Sequence, residues 1–84
     1  MKKVMFNIGN GVGVDSKRVI CISPFNLAYS KRIIKSAEDN GTLFDVSGRN
    51  KKSSIILMEE NMVYLSGVTS DTLRKRFDQL YEQV

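Results

Sequence analysis

Three short apolar runs lie close together between residues 43 and 66, and they constrain the fold more than any other feature. They cover residues 43–47, 53–58 and 62–66. Each has the length of a strand, and a strand needs a neighbour to satisfy its backbone hydrogen bonds. The glycine-led run Gly-Arg-Asn-Lys-Lys at 48–52, the basic segment, separates the first two runs. We therefore predict a hairpin whose tip is the basic segment, followed by a second hairpin at Glu59-Glu60-Asn61.

Two further strands are predicted upstream. Val4, Phe6 and Ile8 alternate with other residues at the period of a half-buried strand, and residues 19–22 form an unbroken apolar run suited to a buried strand. Between them lies Gly-Asn-Gly-Val-Gly at 9–13. Such a run can cradle a phosphate, but the Gly-x-Gly-x-x-Gly spacing is absent and no Lys-Ser/Thr pair follows. A turn or a bulge in a bent strand is the better interpretation.

The sequence also contains two helical patterns. The first begins after Asn26 or after Ser30 and ends at Gly41, which suits a left-handed C-cap. The second begins at Ser70 as N-cap and carries an apolar stripe of Leu73, Phe77, Leu80, Tyr81 and Val84. These elements predict an α+β fold with a small, mostly antiparallel sheet of short strands and two helices, in one domain covering residues 1–84.

Charge is distributed unevenly along the chain. The net charge is +4, but residues 1–52 hold ten Lys/Arg and four Asp/Glu, whereas residues 53–84 hold three and five. The basic segment contributes Arg49, Lys51 and Lys52, and the turn before residue 19 contributes Lys17 and Arg18. Such asymmetry favours a polyanionic partner, nucleic acid first. Charged loops also simply keep sheet edges soluble, so this alternative stays open.

The composition argues against catalysis. There is no histidine, the commonest general base, and a lone Cys21 cannot supply a zinc site or an internal disulfide. We therefore expect a non-enzymatic protein that uses no cofactor or metal and has no evident small-molecule ligand. No apolar run reaches the roughly 20 residues of a membrane helix, and no signal peptide is recognisable. We expect a cytoplasmic protein without a membrane partner.

Several motifs in order resemble a known family. They are Asn7-Ile8-Gly9, Arg18 before an apolar strand, Ser23-Pro24, Lys31-Arg32-Ile33-Ile34, Leu43-Phe44-Asp45, Gly48-Arg49 and Ile55-Ile56-Leu57-Met58. Together they look like the bacterial extracellular-matrix regulatory protein family, the RemA/RemB type, over nearly the whole chain. The tail at 66–76 is closer to the RemB branch.

The resemblance implies a DNA-binding transcriptional regulator of biofilm-matrix and osmotic-response genes, built from small α+β subunits in a closed homo-oligomeric ring. It implies contacts to double-stranded DNA from Arg18 and from a Gly-Arg-Arg loop that falls on Gly48 and Arg49. The second loop arginine is Asn50 here, followed by Lys51 and Lys52. Lysine supplies a point charge but not the bidentate fork of arginine.

Two other functions remain open from the residues. The chain could be a protein-interaction or scaffold module whose basic loops bind acidic partners or only prevent aggregation. Single-stranded RNA binding would use aromatic stacking platforms, and most aromatics here occupy plausible core positions.

Overall fold

A computed structural model describes residues 4–82 of the chain, with side chains up to residue 80. Its regular elements follow one another in this order: strands β1 (Met5–Gly9), β2 (Val12–Asp15) and β3 (Val19–Pro24), helix α1 (Ala28–Asn40), strands β4 (Leu43–Asp45), β5 (Ser54–Met58) and β6 (Val63–Ser66), and helix α2 (Ser70–Glu82). Single 3₁₀ turns, Ser16–Arg18 and Glu59–Asn61, precede β3 and β6. The predicted α+β class with two helices is confirmed.

The main sheet has the strand order β3-β5-β6-β4. β3 pairs with β5 and β5 with β6 in antiparallel fashion, whereas β4 pairs with β6 in parallel. β3 and β4 therefore run in the same direction at opposite edges of the sheet. A connection between parallel strands needs a crossover, and α1 provides it.

This order makes the predicted first hairpin wrong. β4 and β5 are not neighbours, because β6 lies between them. The basic segment is consequently the middle of a connection that passes across the end of β6, spanning two inter-strand spacings of about 4.8 Å each. The second hairpin, at Glu59–Asn61, is confirmed.

β1 and β2 form a separate antiparallel hairpin. Asn10 and Gly11 at its turn both have positive φ, 53° and 77°, as the tight turns favoured in hairpins require. The predicted turn in the glycine-rich run is thus confirmed.

Two hydrophobic clusters lie on opposite faces of the main sheet. The first joins the β1–β2 hairpin and α2 to the sheet, with Phe6 and Phe77 packed edge to face at 5.3 Å between ring centres. The second packs α1 against Ile55, Val63 and Leu65. A helix thus covers each face, which fixes the positions of the loops at the sheet's ends.

Several local predictions differ from the structure in detail. α1 begins at Ala28, with Leu27 as its N-cap and no side-chain capping bond, so neither Asn26 nor Ser30 caps it. Gly41 does form the left-handed C-cap, at φ 71°. In α2 the cap is Thr69, whose hydroxyl accepts from the Thr72 amide at 3.4 Å, one residue before Ser70.

The apolar surface also differs in places from the sequence pattern. The run at 19–22 is not wholly buried, since β3 is an edge strand with a bulge and leaves Ile20 62% exposed. Within the α2 stripe, Leu73 is fully buried and Phe77 and Leu80 pack against the core. Val84 and the side chain of Tyr81 lie outside the described part. No helix within residues 4–82 is long and apolar enough to cross a membrane.

Candidate nucleic-acid interface

Asp45, the last residue of β4, shapes the connection that carries the basic segment. Its carboxylate accepts hydrogen bonds from the Ser47 amide at 3.0 Å and from the Ser47 hydroxyl at 2.6 Å. The Asn50 amide then donates to the Ser47 carbonyl at 3.1 Å, which closes a turn around Gly48 at φ 63°. These bonds to Ser47, and secondarily Lys52, lower the pKa of Asp45 below its usual 3.8. The turn is therefore tied to a charged carboxylate.

Two glycines, which lack a Cβ, allow neighbouring parts of the chain to approach this turn closely. A Cβ on Gly67, just after β6, would lie 2.6 Å from the Asn50 Cβ, and one on Gly48 would lie 2.7 Å from the Asn10 side-chain nitrogen. Both distances are shorter than real Cβ contacts. The basic segment therefore packs closely against the β6–α2 loop at Asn50 and contacts the Asn10 side chain of the β1–β2 turn at Gly48.

The three cations of the basic segment differ in their environment. Lys52 pairs with Asp45 at 3.4 Å, and its side chain is 42% exposed. Arg49 and Lys51 are exposed, and no carboxylate among the side chains of residues 4–80 lies within 4.0 Å of either. Arg49 and Lys51 are thus presented to solvent with their charges uncompensated at short range.

Arg18 and Lys17 lie elsewhere in the chain. They belong to the 3₁₀ turn before β3, where the Lys17 amide donates to Asp15 at 3.0 Å and the Arg18 Nε lies 3.9 Å from the Asp15 carboxylate. This turn adjoins the Val19–Met58 end of the β3–β5 ladder, whereas the basic segment adjoins the Pro24–Ser54 end. Four residue steps of about 3.4 Å place the two ends on the order of 14 Å apart. One chain does not bring Arg18 and the basic segment together.

What lies beside the basic segment is the turn between β3 and α1. Pro24 pairs with Ser54, and the Phe25 amide donates to the Ser53 carbonyl at 3.0 Å. An open trough of about 630 Å³ results, lined by Phe25, Asn26, Asn50, Lys51, Lys52 and Ser53. No sequence signal pointed to Phe25 or Asn26 at this site, since their proximity depends on which strand pairs with β3.

Comparison with known proteins supplies independent information. Residues 5–77 match the family model described as RemA-like, extracellular matrix regulatory protein A-like. This chain belongs to the RemA-like family. The resemblance noted from its motifs is therefore confirmed, and all the candidate cations fall within the matched range.

Relatives in this family align over most of their length. A protein from Desulfatibacillum aliphaticivorans is 35% identical over 79 residues, which cover 94% of this chain and 89% of the relative. One from Nostoc punctiforme is 34% identical, covering 92% and 88%. One from Microcystis aeruginosa is 36% identical, covering 87% and 82%. Each carries the name "Putative regulatory protein".

Other types of site receive no support from the described residues. No group of three His, Cys, Asp or Glu side chains among them could hold a metal ion. The Cys21 sulfur lies 3.1 Å from the Ser23 hydroxyl in a partly buried position on β3. The basic segment of this RemA-like chain is therefore the best-defined candidate site.

Proposed function

We propose that this RemA-like protein is a non-enzymatic, DNA-binding transcriptional regulator of extracellular-matrix (biofilm) genes. The names of the family and of its relatives support a regulatory role. We propose further that it acts in the cytoplasm on double-stranded DNA. The observation that carries the DNA proposal is the basic segment: two solvent-facing cations on a backbone that Asp45, Gly48 and Gly67 hold in place.

A fixed loop suits phosphate binding better than a flexible one does. Ordering a loop on binding costs free energy that a preorganised loop has already lost on folding. Arg49 can form two parallel hydrogen bonds to one phosphate or enter a narrow minor groove, whereas Lys51 adds a point charge. Lys52 joins them once its pairing with Asp45 is exchanged for a phosphate.

A single subunit offers few such cations, so we propose that it works as a homo-oligomeric ring. In a ring, once one basic segment has bound the DNA, the segments of the other subunits bind it intramolecularly. This raises the effective concentration of cations at the DNA. Arg18 and Lys17 form a second proposed contact in each subunit. Because they adjoin the opposite end of the β3–β5 ladder, whose two ends are on the order of 14 Å apart, their contribution is separable by mutation.

The proposal is tested by fluorescence anisotropy with a labelled duplex over a range of salt concentrations. The salt slope is the slope of the logarithm of the binding constant against the logarithm of the salt concentration. Removing one cation that binds a phosphate should reduce its magnitude by about 0.9. We expect this reduction for Arg49→Ala, Lys51→Ala and Arg18→Ala. Lys35→Ala is the matched control, because Lys35 is an exposed cation within α1 and outside both proposed contacts.

Different outcomes would exclude different parts of the proposal. Absence of duplex binding by the wild type at low salt would reject DNA binding and favour the scaffold function. Equal slopes for the wild type, Arg49→Ala and Lys51→Ala would reject the basic segment as the site. Sedimentation at micromolar concentration tests the ring, since a species with the mass of one 9.5 kDa chain would contradict it.

A further inference from the structure

The trough beside the basic segment is lined by uncharged hydrogen-bonding residues as well as by cations, and a purely electrostatic contact would need only the cations. Its lining residues include Lys51 and Lys52, of which Lys52 pairs with Asp45 outside the lining, together with Asn26 and Asn50. An asparagine amide is uncharged and offers both donors and an acceptor, whereas lysine offers only donors. The trough thus brings hydrogen-bonding groups without net charge next to cations.

The turn that carries Asn26 is firmly attached to the rest of the molecule. The Phe25 amide bonds to Ser53, and the Phe25 ring packs against the cluster between α1 and the sheet. The Ser30 hydroxyl donates to the Pro24 carbonyl from the first turn of α1. Asn26 itself is exposed. It is therefore an accessible amide on a backbone fixed from both sides.

The shape and lining of the trough suit a polyanionic strand better than a small molecule. Small-molecule sites enclose most of their ligand. This trough is instead open to solvent, and the charged residues of its lining, Lys51 and Lys52, are both cationic. Cations flanked by hydrogen-bonding amides match nucleic acid, where phosphate contacts set the position and base contacts supply the sequence preference.

We propose that the Phe25–Asn26 turn is a second element of the DNA interface and that Asn26 is a specificity-determining residue that hydrogen-bonds base edges. Lys51 and Lys52 hold the adjacent phosphates. An asparagine pairs well with the N6 and N7 atoms of adenine in the major groove, so adenine is the expected base. Asn50 can take part in the same way. This inference rests on the proposed DNA-binding function and adds to it a particular residue that distinguishes DNA sequences by contacting the bases.

The experiment begins with selection of a preferred 30-base-pair duplex from a randomised pool by the full-length wild-type protein. Binding to that duplex and to a scrambled duplex is then measured for Asn26→Ala, Lys51→Ala and the control Asn40→Ala. Asn40 is an exposed asparagine at the C-terminal end of α1, away from the trough. Asn26→Asp places a negative charge in the trough and reports how close it lies to the DNA.

We expect Asn26→Ala to reduce the ratio of the affinities for the selected and the scrambled duplex by roughly 5- to 150-fold, the range of one specific base contact. Its salt slope should equal that of the wild type, because the substitution removes no charge, whereas Lys51→Ala should lower the slope by about 0.9 with the preference retained. Asn26→Asp should weaken binding to both duplexes. Asn40→Ala should match the wild type.

Different results would reject the role of Asn26 and the proposed DNA-binding function. If the wild type selects no sequence, or if Asn26→Ala keeps the full preference, Asn26 is not a base-reading residue although the protein binds DNA. If Asn26→Asp binds as tightly as the wild type while Lys51→Ala does not, the turn lies outside the interface. If the wild type binds no duplex at all, the proposed function itself is rejected.

Discussion

The ion pair between Asp45 and Lys52 predicts that removing one carboxylate strengthens DNA binding. The two side chains are 46% and 42% exposed and 3.4 Å apart. Exposed pairs of this kind contribute about 0.2–1 kcal/mol, which is the free energy that a DNA phosphate must replace to recruit Lys52. Asp45→Asn abolishes this competition. We expect a gain in affinity of about 1.4- to 5-fold for each basic segment that contacts the duplex.

The same substitution has a cost in folding stability. Both hydrogen bonds from Ser47 end on the same Asp45 oxygen, Oδ1, and an asparagine keeps this oxygen as an acceptor but without the negative charge. A hydrogen bond to a charged group contributes about 1.5–3 kcal/mol and a neutral one about 0.5–1.5 kcal/mol. We therefore expect Asp45→Asn to lower the free energy of unfolding by about 1–2 kcal/mol, with the turn largely retained.

Anisotropy titrations at several salt concentrations, with urea denaturation in parallel, measure both effects. The control is Asp39→Asn, which changes the net charge equally but lies exposed near the C-terminal end of α1. Asp45→Asn should steepen the salt slope by up to about 0.9, as one lysine per segment becomes available to phosphate, and Asp39→Asn should not. Equal affinities and slopes for the two variants would show that Lys52 does not exchange Asp45 for DNA. Weaker binding by a folded Asp45→Asn protein would refute the reasoning outright.

Three further outcomes are expected. The pKa of Asp45 is lowered by folding, so its stabilising effect should be fully present above the unfolded value near 3.8 and be lost as the pH falls from there through the lower folded value. Thermal denaturation from pH 7 to 2.5 should show a constant stability gap between wild type and Asp45→Asn at higher pH and a narrowing gap below about pH 3.8. Gly67→Ala should displace the basic segment, because its Cβ would meet the Asn50 Cβ at 2.6 Å, and should cost about 1–3 kcal/mol of overpacking together with DNA affinity; unchanged binding would mean that the segment adapts freely. Leu73→Ala should cost about 2–5 kcal/mol in urea denaturation, since Leu73 is fully buried where α2 meets the sheet, whereas Gln79→Ala, at an exposed position of the same helix, serves as its surface control.

Local signals located most of the regular elements. The Asn10-Gly11 turn and the Gly41 cap were predictable because positive φ angles are a property of single residues. The periodicities of β1 and α2 were predictable because they depend only on residues a few positions apart. The cap of α2 was missed by one residue, because Thr69 and Ser70 carry equivalent hydroxyls and backbone position decides between them.

The candidate site was predictable as a set of residues but not as an arrangement. Arg49, Lys51 and Lys52 stand together in the sequence, and the structure leaves Arg49 and Lys51 exposed. Asn26 could not be found, because its proximity to Lys51 depends on the pairing of Pro24 with Ser54. That pairing joins residues 30 positions apart.

The sequence by itself determined most of the strands, both helices, the tight turns, the charge of the basic segment and the family. Only the tertiary structure decided that β6 lies between β4 and β5, so that the basic segment crosses a strand end instead of forming a hairpin tip. It also separated Arg18 from that segment and placed the Phe25–Asn26 turn beside it. The physical reason is that turns and periodicity depend on neighbouring residues, whereas strand order depends on α1 crossing one face of the sheet and on the packing of both faces at once.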